Sequence, residues 1–322
     1  MNTICIISVY FGKFNNYFEL WLRSCSYNKN IDFKIYSDIV YERSLPANVC
    51  IIPTTIDEVR TKASIVTGID VNLYKPYKCC DLKPLYGLIF HDDIKNYSYW
   101  GECDMDLVWG NLYYFMSVNN YNKYDKFLPL GHLSFYRNTE SVSNYYRLDG
   151  DTCGGWKTAL TTDQNVAFDE IPGIVSIYQK NHLSFFFERV FADISPLHKR
   201  FTISEYCAVD GKYIKNYKYQ IFYWENGKVY RDYIEDNKVK TDEFMYIHFR
   251  SRPNFEINDE LLSVNAFYIT RFGFVPKKGS TTIDIINKFN PYSSFIYELS
   301  EDWGYHIRHQ FKRLTRFIKR II

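Results

Sequence analysis

The stretch YSYWGECDMDLVWG, residues 97–110, ends an aromatic, apolar run with carboxylates at alternate positions, Glu102, Asp104 and Asp106. In a β-strand, residues two apart point to the same side and lie about 7 Å apart, at roughly 3.3 Å of rise per residue. Like charges that close repel one another unless something positive lies between them. The pattern therefore predicts a strand end at which the three acids face one positively charged group.

The Asp104-Met105-Asp106 triplet suits a divalent cation, because hard carboxylate oxygens converge on one side and leave other positions open for phosphate oxygens and water. The alternative is that these are solvated carboxylates that cap a strand end. The aromatic strand that precedes the triplet favours the metal site, since unpaired charge is costly to bury there.

Upstream of this stretch, the chain alternates between strand and helix patterns. ICIISVY (4–10) reads as a buried strand, and it is followed by a glycine turn and by helical spacing of apolar residues. The pattern predicts further strands at 32–38 and 49–53 and helices at 56–66 and 78–91. Such alternation favours an α/β fold with a mostly parallel sheet, in which ligands bind at the carboxyl ends of the strands.

Downstream, the pattern changes. Residues 126–138 read as a returning strand, 151–164 as a glycine-containing loop, and 219–233 as a hairpin that turns at Asn226-Gly227. A late strand at 243–253 carries His248, Arg250 and Arg252 on one face. Residues 254–300 are expected to be loop-rich with helical pieces.

Composition narrows the class of protein. The 322 residues carry 39 Lys and Arg against 37 Asp and Glu, a net charge of +2, which gives no field suited to a nucleic-acid partner. The eight cysteines include no C-x-x-C pair, so we expect reduced thiols and a cytoplasmic protein. No apolar stretch approaches the ~20 residues that a membrane-spanning helix needs.

Several motifs, taken in order, carry a resemblance to a known family. KPYKCCDLKPLYGLIF (75–90), CDMDLVWGN (103–111), LGHLSFYRN (130–138), FDE (168–170) and YIHFRSR (246–252) resemble a bacterial family of glycosyltransferases of the A-type (GT-A-like) fold that is associated with capsule and surface polysaccharide synthesis. The resemblance covers about residues 1–255. It implies a mixed, mostly parallel central sheet and a nucleotide-sugar donor, expected to be a UDP-sugar, held in the N-terminal half.

By this resemblance, Asp106 binds Mn²⁺ or Mg²⁺ directly, and Asp104 reaches the metal or the donor ribose. His248 is the candidate for a further metal ligand or diphosphate contact, although a lone histidine in a strand is more often a satisfied core residue. Arg250 and Arg252 either hold the diphosphate or are surface charges. Glu102 is expected to orient the ligands from behind.

The resemblance also assigns residues to the donor. Those expected to contact the nucleotide or its sugar are Tyr10, Phe11, Gly12, Asp38, Lys78, Asp81, Lys83, Gly131 and His132. Lys83 stands where related families use Arg, and a lysine supplies a point charge in place of a planar fork. The alternative for Lys78, Asp81 and Lys83 is an ordinary exposed helix face.

Two acidic residues are the candidates for catalysis. Asp169 and Glu170 correspond to the FDE motif, and one of them is expected to deprotonate the acceptor hydroxyl or to steady the reacting sugar. Asp163 is a further acid nearby, but Asp in such a position is more commonly the N-cap of a helix.

Two other functions remain open from the sequence. A metal-dependent phosphoesterase or nuclease also gathers carboxylates around Mg²⁺, although it usually takes more acidic and histidine ligands from several strand ends. A carbohydrate-binding scaffold would use the 30 Tyr and 6 Trp as stacking surfaces without catalysis.

The C-terminal segment HIRHQFKRLTRFIKRII (306–322) predicts a basic amphipathic helix. Such a helix can lie on an anionic membrane, which would place the enzyme on the inner face of the cell membrane near a glycan or lipid-linked acceptor. The alternative is packing on the protein itself. The expected organisation is a transferase domain (1–255), an extension (256–300) and a tail helix (301–322).

Overall fold

The computed structural model describes residues 3–196, 200–204, 214–250, 255 and 257–292. Arg252 and the predicted tail helix at 301–322 lie outside this range. The seven cysteines that the structure describes are all free thiols. Among the described helices, none is long and apolar enough to cross a membrane.

The strands, in chain order, are β1 (Ile4–Val9), β2 (Ile31–Ser37), β3 (Val49–Pro53), β4 (Tyr99–Cys103), β5 (Leu107–Trp109), β6 (Lys126–Phe127), β7 (Leu133–Arg137), β8 (Phe185–Phe186), β9 (Ala192–Asp193), β10 (Gln220–Glu225), β11 (Lys228–Glu235), β12 (Lys238–Phe244), β13 (Tyr246–His248), β14 (Ala266–Thr270) and β15 (Gly273–Pro276). The α-helices are α1 (Phe18–Ser26), α2 (Ile56–Thr67), α3 (Tyr86–Ile89), α4 (His91–Ile94), α5 (Leu112–Val118), α6 (Glu140–Asn144), α7 (Trp156–Thr161), α8 (Ser176–Lys180), α9 (Asp259–Ser263) and α10 (Ile283–Phe289). Shorter 3₁₀ and π turns complete the fold, at Pro76–Leu85, Tyr121–Lys123, Tyr145–Arg147 and Ile171–Val175.

The central sheet has seven strands in the order β3-β2-β1-β4-β7-β6-β8. The first four run parallel, β7 is antiparallel to both of its neighbours, and β8 is parallel to β6. This confirms the predicted α/β fold with a mixed, mostly parallel central sheet. The carboxyl ends of β1, β2 and β4 therefore meet at one edge, where a ligand site is expected.

Apolar side chains cover both faces of this sheet. Along β1, Ile4 and Ile6 pack in one cluster with Trp21 of α1, whereas Cys5 and Ile7 pack in another with Val59 of α2. Because successive residues of a strand point to opposite faces, the uninterrupted apolar run of β1 is what a strand buried on both sides requires.

Helix α2 matches its predicted bounds closely, and its ends explain why. The Thr55 hydroxyl accepts from the Glu58 N–H, and the Glu58 carboxylate accepts from the Thr55 N–H, so a capping box fixes the start. Gly68, with φ of +74°, ends the helix in the left-handed conformation that glycine adopts without strain.

The predicted helix at 78–91 is wrong as a continuous helix. The chain instead forms a 3₁₀ helix over Pro76–Leu85 and then the one-turn helices α3 and α4. Pro84 has no N–H to donate, and its ring clashes with the carbonyl of the preceding turn, so an α-helical ladder cannot run through it.

The predicted single strand at 126–138 is two short antiparallel strands, β6 and β7, joined by residues 128–132. Leu128 has φ of +75°, and Pro129 follows it, so the chain cannot stay extended there. The predicted loop at 151–164 also contains α7.

Two further sheets follow. One sheet has three strands, in the order β5-β13-β9. The other is antiparallel and has five strands, in the order β12-β11-β10-β14-β15. The hairpin predicted at Asn226-Gly227 is confirmed, with positive φ at both turn residues. The expectation of loops and helical pieces over 254–300 missed β14 and β15. Because β14 pairs with β10, the proposed boundary at residue 255 divides this sheet.

Candidate active site

The chain leaves the central sheet where β4 ends, and the Asp104-Met105-Asp106 triplet follows at once. Glu102 is part of β4, whereas Asp104 and Asp106 lie in the short segment between β4 and β5. The triplet thus lies at a strand end, as the sequence predicts. β4 pairs with β7 only as far as Cys103, and β5 then joins the sheet of β13.

Three hydrogen bonds to backbone groups of residues 104–106 hold this segment in place. The Asp104 N–H donates to the His132 carbonyl at 3.2 Å, and the Phe249 N–H donates to the Asp106 carbonyl at 2.9 Å. Asn15, after β1, donates its side-chain amide to the Met105 carbonyl at 2.7 Å. The segment is thus fixed at the carboxyl end of β4, beside that of β1.

His248 reaches the same point through β-sheet register. β13 pairs with β5 so that His248 lies opposite Leu107, the residue after Asp106. Its Nε2 is 3.3 Å from Asp106 Oδ1. One ligand atom from each of Asp104, Asp106 and His248 lies within 4.8 Å of the others.

These three residues fit a divalent metal. The carboxylate oxygens are ligands that Mg²⁺ and Mn²⁺ prefer, and imidazole is a common metal ligand through either ring nitrogen. The other ring nitrogen of His248, Nδ1, lies 2.8 Å from Asp193 Oδ1, which leaves Nε2 directed at the carboxylates. A carboxylate behind a metal-binding histidine commonly fixes the orientation of the ring in this way.

Sequence reasoning missed Asp193. It lies in the two-residue strand β9 and meets His248 because β9 pairs with β13 in parallel. Arg250 holds its other oxygen, with Nη1 3.2 Å from Oδ2. No motif marks this stretch, so only the pairing of the strands brings Asp193 into the site.

Of the three acids of the opening stretch, Asp106 is paired with His248, whereas Glu102 and Asp104 lie beside the ammonium of Lys83. Its buried ammonium donates to Asp104 Oδ1 at 2.5 Å and to the Gly131 carbonyl at 2.6 Å. The carboxyl groups of Asp169 and Glu102 lie 3.3 and 3.7 Å from the same nitrogen. Burial alone would lower the pKa of Lys83, but these carboxylates hold it well above its usual value.

Glu102 sits behind Lys83 and is fully buried. Neither of its oxygens has a hydrogen-bond partner among the described residues, and burial raises the pKa of its carboxyl group well above the usual value. A buried lysine, Lys126, lies on the same side and donates to the Leu128 carbonyl and to Ser134 Oγ, each at 2.5 Å. Burial lowers the pKa of Lys126 to about 7.

The two candidate catalytic acids adjoin Gly131. Glu170 Oε1 accepts from the Gly131 N–H at 3.2 Å, and a Cβ on Gly131 would lie only 2.2 Å from Asp169 Oδ2. Only glycine therefore allows the acids to approach this turn so closely. Burial raises the pKa of Asp169 to about 8 and also raises the pKa of Glu170.

A cavity of about 520 Å³ opens in front of these groups. Its volume lies within the ~300–1,000 Å³ typical of small-molecule sites. Of the residues singled out in the sequence, those that line it are Tyr10, Phe11, Lys83, Asp104, Asp106, Asp169 and Glu170. Two of the three candidate metal ligands, Asp104 and Asp106, and both candidate acids thus line one space.

Other residues predicted to contact the donor are not among those that line the cavity. Gly12, with φ of +102°, donates its N–H to Asp38 Oδ1 at 3.1 Å, so the two residues join the loops after β1 and β2. His132 is buried: its Nδ1 lies 2.8 Å from the Tyr246 hydroxyl, and its ring stacks on His248 with centroids 4.3 Å apart. It therefore packs against a candidate metal ligand rather than facing a sugar.

Lys78 and Asp81 are also buried rather than exposed on a helix face. Lys78 Nζ donates to Asp81 Oδ2 at 2.7 Å and to two backbone carbonyls. Asp81 in turn accepts from the N–H groups of Val166 and Phe168. The pair ties the 3₁₀ segment to the loop that carries the candidate acids, and neither residue lines the cavity.

Comparison with known proteins gives a family and distant structural likenesses. Residues 6–278 match a family described as "Family of unknown function (DUF6625)". A search of curated proteins gives no match. Similar solved structures include the galactosyltransferase LgtC in complex with donor and acceptor sugar analogues, at 8% identity and a TM-score of 0.32 over 60% of this chain and 76% of that one.

Two other solved structures are also similar. One is an active-site mutant of LgtC, at 8% identity and a TM-score of 0.38 over 80% of this chain and 94% of that one. The other is the mannosyltransferase Ktr4p from S. cerevisiae, at 13% identity and a TM-score of 0.23 over 40% of this chain and 39% of that one.

Proposed function

The chain belongs to DUF6625, a family of unknown function, and we propose that it is a metal-dependent glycosyltransferase. It would move a sugar from a nucleotide-diphosphate donor, in the simplest case a UDP-sugar, to a glycan or lipid-linked glycan in surface polysaccharide synthesis. One observation carries the proposal. Asp104, Asp106 and His248 present ligand atoms within 4.8 Å of one another, beside a cavity bordered by the buried Asp169 and the partly buried Glu170.

The metal-binding residues would hold the donor diphosphate. Asp104, Asp106 and His248 would bind Mn²⁺ or Mg²⁺, and a cation held there neutralises charge that develops on the leaving nucleotide. Asp193 would keep the His248 ring in place, and Lys83 would hold Asp104 in the orientation that metal binding needs. Both contacts already exist in the protein.

The nucleoside would lie against the loop after β1. Tyr10 and Phe11 border the cavity, and the Tyr10 ring packs on Phe14 with centroids 5.6 Å apart, so it is held as a flat surface. Flat aromatic rings stack on nucleobases. Asp38 has a second carboxylate oxygen beside the one that binds the Gly12 N–H, and we propose that it accepts from the base or ribose.

The acceptor would be activated on the opposite side of the cavity. A buried carboxyl group with a raised pKa is suited to exchange a proton with a hydroxyl group near neutral pH. Asp169 and Glu170 meet that requirement, and both are positioned through Gly131. One of them would take the proton of the acceptor hydroxyl or steady the reacting sugar.

A panel of UDP-sugars incubated with Mn²⁺, Mg²⁺ or EDTA tests the proposal. We expect slow, metal-dependent release of UDP from one donor, and a rise in Tm with UDP only when Mn²⁺ is present, because a ligand that binds only the folded state stabilises it. Cleavage of simple phosphoesters without donor preference would instead indicate a phosphoesterase. Absence of any nucleotide binding would indicate a carbohydrate-binding scaffold.

Replacing the responsible acid by its amide should lower kcat by about 10²-fold or more, the usual scale for a positioned acid or base. The variants are Asp169→Asn and Glu170→Gln. Each keeps the shape of the side chain but replaces a carboxyl group that exchanges a proton with an amide that does not. Donor affinity, measured by UDP titration in Mn²⁺, should change little. If both variants keep full kcat, the acids are structural, and Asp163 becomes the candidate.

We also propose that the tail recruits the enzyme to an anionic membrane surface, a proposal that rests on sequence alone. The sequence spacing predicts one apolar stripe in a helix, made of Ile307, Phe311, Leu314, Ile318 and Ile321, with basic residues on the remaining faces, namely Arg308, Lys312, Arg313, Arg316, Lys319 and Arg320. Each cation near such a surface adds about 1 kcal/mol of attraction.

Vesicle co-sedimentation tests the tail. The full chain should bind vesicles that contain anionic lipid, bind neutral vesicles weakly, and lose binding as salt rises, because charge is screened over about 8 Å at physiological ionic strength. A chain truncated after Ser300 should not bind. Equal binding by both chains would show that the tail is not the membrane contact.

A further inference from the structure

Two tyrosines stand out of the surface beside the cavity. Tyr74 is 65% exposed and Tyr77 is 74% exposed, although large aromatic side chains usually bury most of their area. Tyr74 lies just before the 3₁₀ helix Pro76–Leu85, and Tyr77 lies in the first turn of that helix. An aromatic ring held in water next to a ligand cavity suggests a surface that a ligand covers.

The two rings border adjoining spaces. Tyr77 and Pro76 line the 520 Å³ cavity that Asp104 and Asp169 also line. Tyr74 and Lys75 line a smaller cavity of about 230 Å³, whose opposite wall includes Asp163. Tyr74 and Tyr77 are three positions apart in the segment 74–77, here called the rim, so the two spaces lie within about 10 Å of each other along the chain.

The rim is braced from beneath. Lys78 Nζ donates to the carbonyls of Ala159 and Gln164, at 2.5 and 2.6 Å, and to Asp81. The Asn72 N–H donates to the Leu160 carbonyl at 2.9 Å. Buried groups thus connect both walls of the smaller cavity. The backbone of this site is already ordered, so ligand binding costs little further conformational entropy there.

Charged groups that can bind hydroxyl groups flank the smaller cavity. The exposed Lys75 ammonium lies 3.9 Å from Asp163 Oδ2, too long for a tight hydrogen bond. Above the other wall, the Arg60 guanidinium covers one face of the Tyr74 ring at 4.5 Å. Charged groups that flank an aromatic face match the chemistry of a sugar, which has an apolar C–H face and a rim of hydroxyl groups.

We infer that this rim is an acceptor subsite that binds the glycan portion of the acceptor, with one sugar on Tyr77 and the next beside Tyr74. The inference rests on the proposed transferase function and specifies its acceptor as an oligosaccharide chain of at least two sugars. Lys75 and Asp163 would bind hydroxyl groups of the second sugar. The terminal hydroxyl would then point into the larger cavity, towards Asp169.

Saturation-transfer NMR on the full chain with lactose, maltotriose and N-acetylchitotriose tests the subsite. At least one of these glycans should receive saturation from the wild-type protein. Tyr77→Ala should weaken its binding by about tenfold, the scale of one lost aromatic contact. Tyr77→Phe keeps the ring and should retain binding. Tyr114→Ala, which removes a 51% exposed tyrosine from α5, is the matched control and should also retain it.

The outcomes separate the subsite from the transferase. Binding of a glycan that is unaffected by Tyr77→Ala, or no binding of any of the three glycans, would overturn the subsite. If UDP with Mn²⁺ still raises the Tm in that case, the transferase proposal stands. If a glycan binds through Tyr77 but nucleotide does not bind, the rim is a glycan-binding site, the transferase proposal fails, and the assignment of the rim to an acceptor is overturned with it.

Discussion

Asp106→Ala should lower glycosyl transfer by about 10³-fold or more while the chain remains folded. Asp106 is the carboxylate that meets His248, and the pair provides two of the three candidate metal ligands. Loss of a metal contact removes several kcal/mol of stabilisation of the developing negative charge, and each 1.36 kcal/mol corresponds to tenfold in rate. Asp106→Asn should fail similarly, since an amide is a weaker ligand for a divalent cation.

The measurement needs a readout besides turnover. Mn²⁺ binding followed by electron paramagnetic resonance should weaken strongly in Asp106→Ala, and circular dichroism should show an unchanged fold. Asp92→Ala is the matched control, because that carboxylate is 98% exposed on α4 and is paired only with His91 among the described residues. Near-normal turnover by Asp106→Ala, with normal Mn²⁺ binding, would remove the metal assignment.

The folded state should tolerate this change for a local reason. His248 keeps its contact with Asp193 when Asp106 is absent, so its buried ring is not left without a partner. An ion pair that involves a partly exposed carboxylate contributes at most about 1 kcal/mol to the free energy of unfolding. The acids of this site are thus held mainly by basic partners and not by one another.

The local elements of the N-terminal half follow from the sequence because each has a local cause. The apolar run of β1 and the caps of α2 are set by residues within a few positions of one another. The hairpin at Asn226-Gly227 is similarly fixed by the turn residues. The predicted helix at 78–91 contains a local signal against it, because Pro84 has no N–H to donate within an α-helix.

The site itself depends on contacts that no local pattern contains. The Lys83 ammonium meets side chains from β4, from the segment after β4 and from Asp169, far along the chain. Likewise, Asp193 reaches His248 only because β9 lies beside β13. The sequence indicated which residues carry chemistry, whereas sheet pairing decides which of them face a cavity and which, like Lys78 and Asp81, brace it.

Lys83→Met should lower the free energy of unfolding by about 3–5 kcal/mol and abolish transfer. Methionine preserves most of the volume of the side chain but removes its charge, so the packing changes little. Glu102, Asp104 and Asp169 would then face one another without the ammonium that now lies within 3.7 Å of each. Removing one partner of a buried ionic group usually costs this much, because uncompensated charge remains.

A second substitution distinguishes lost charge balance from lost packing. Adding Asp169→Asn to Lys83→Met removes one of the uncompensated acids, so part of the lost stability should return, whereas a packing defect would not respond. Urea denaturation of the wild type, both single variants and the double variant gives the coupling free energy. Transfer should remain absent in the double variant, because Asp104 still lacks the donor that orients it. If Lys83→Met unfolds at the same urea concentration as the wild type, the Lys83 ammonium does not balance the charge of Glu102, Asp104 and Asp169.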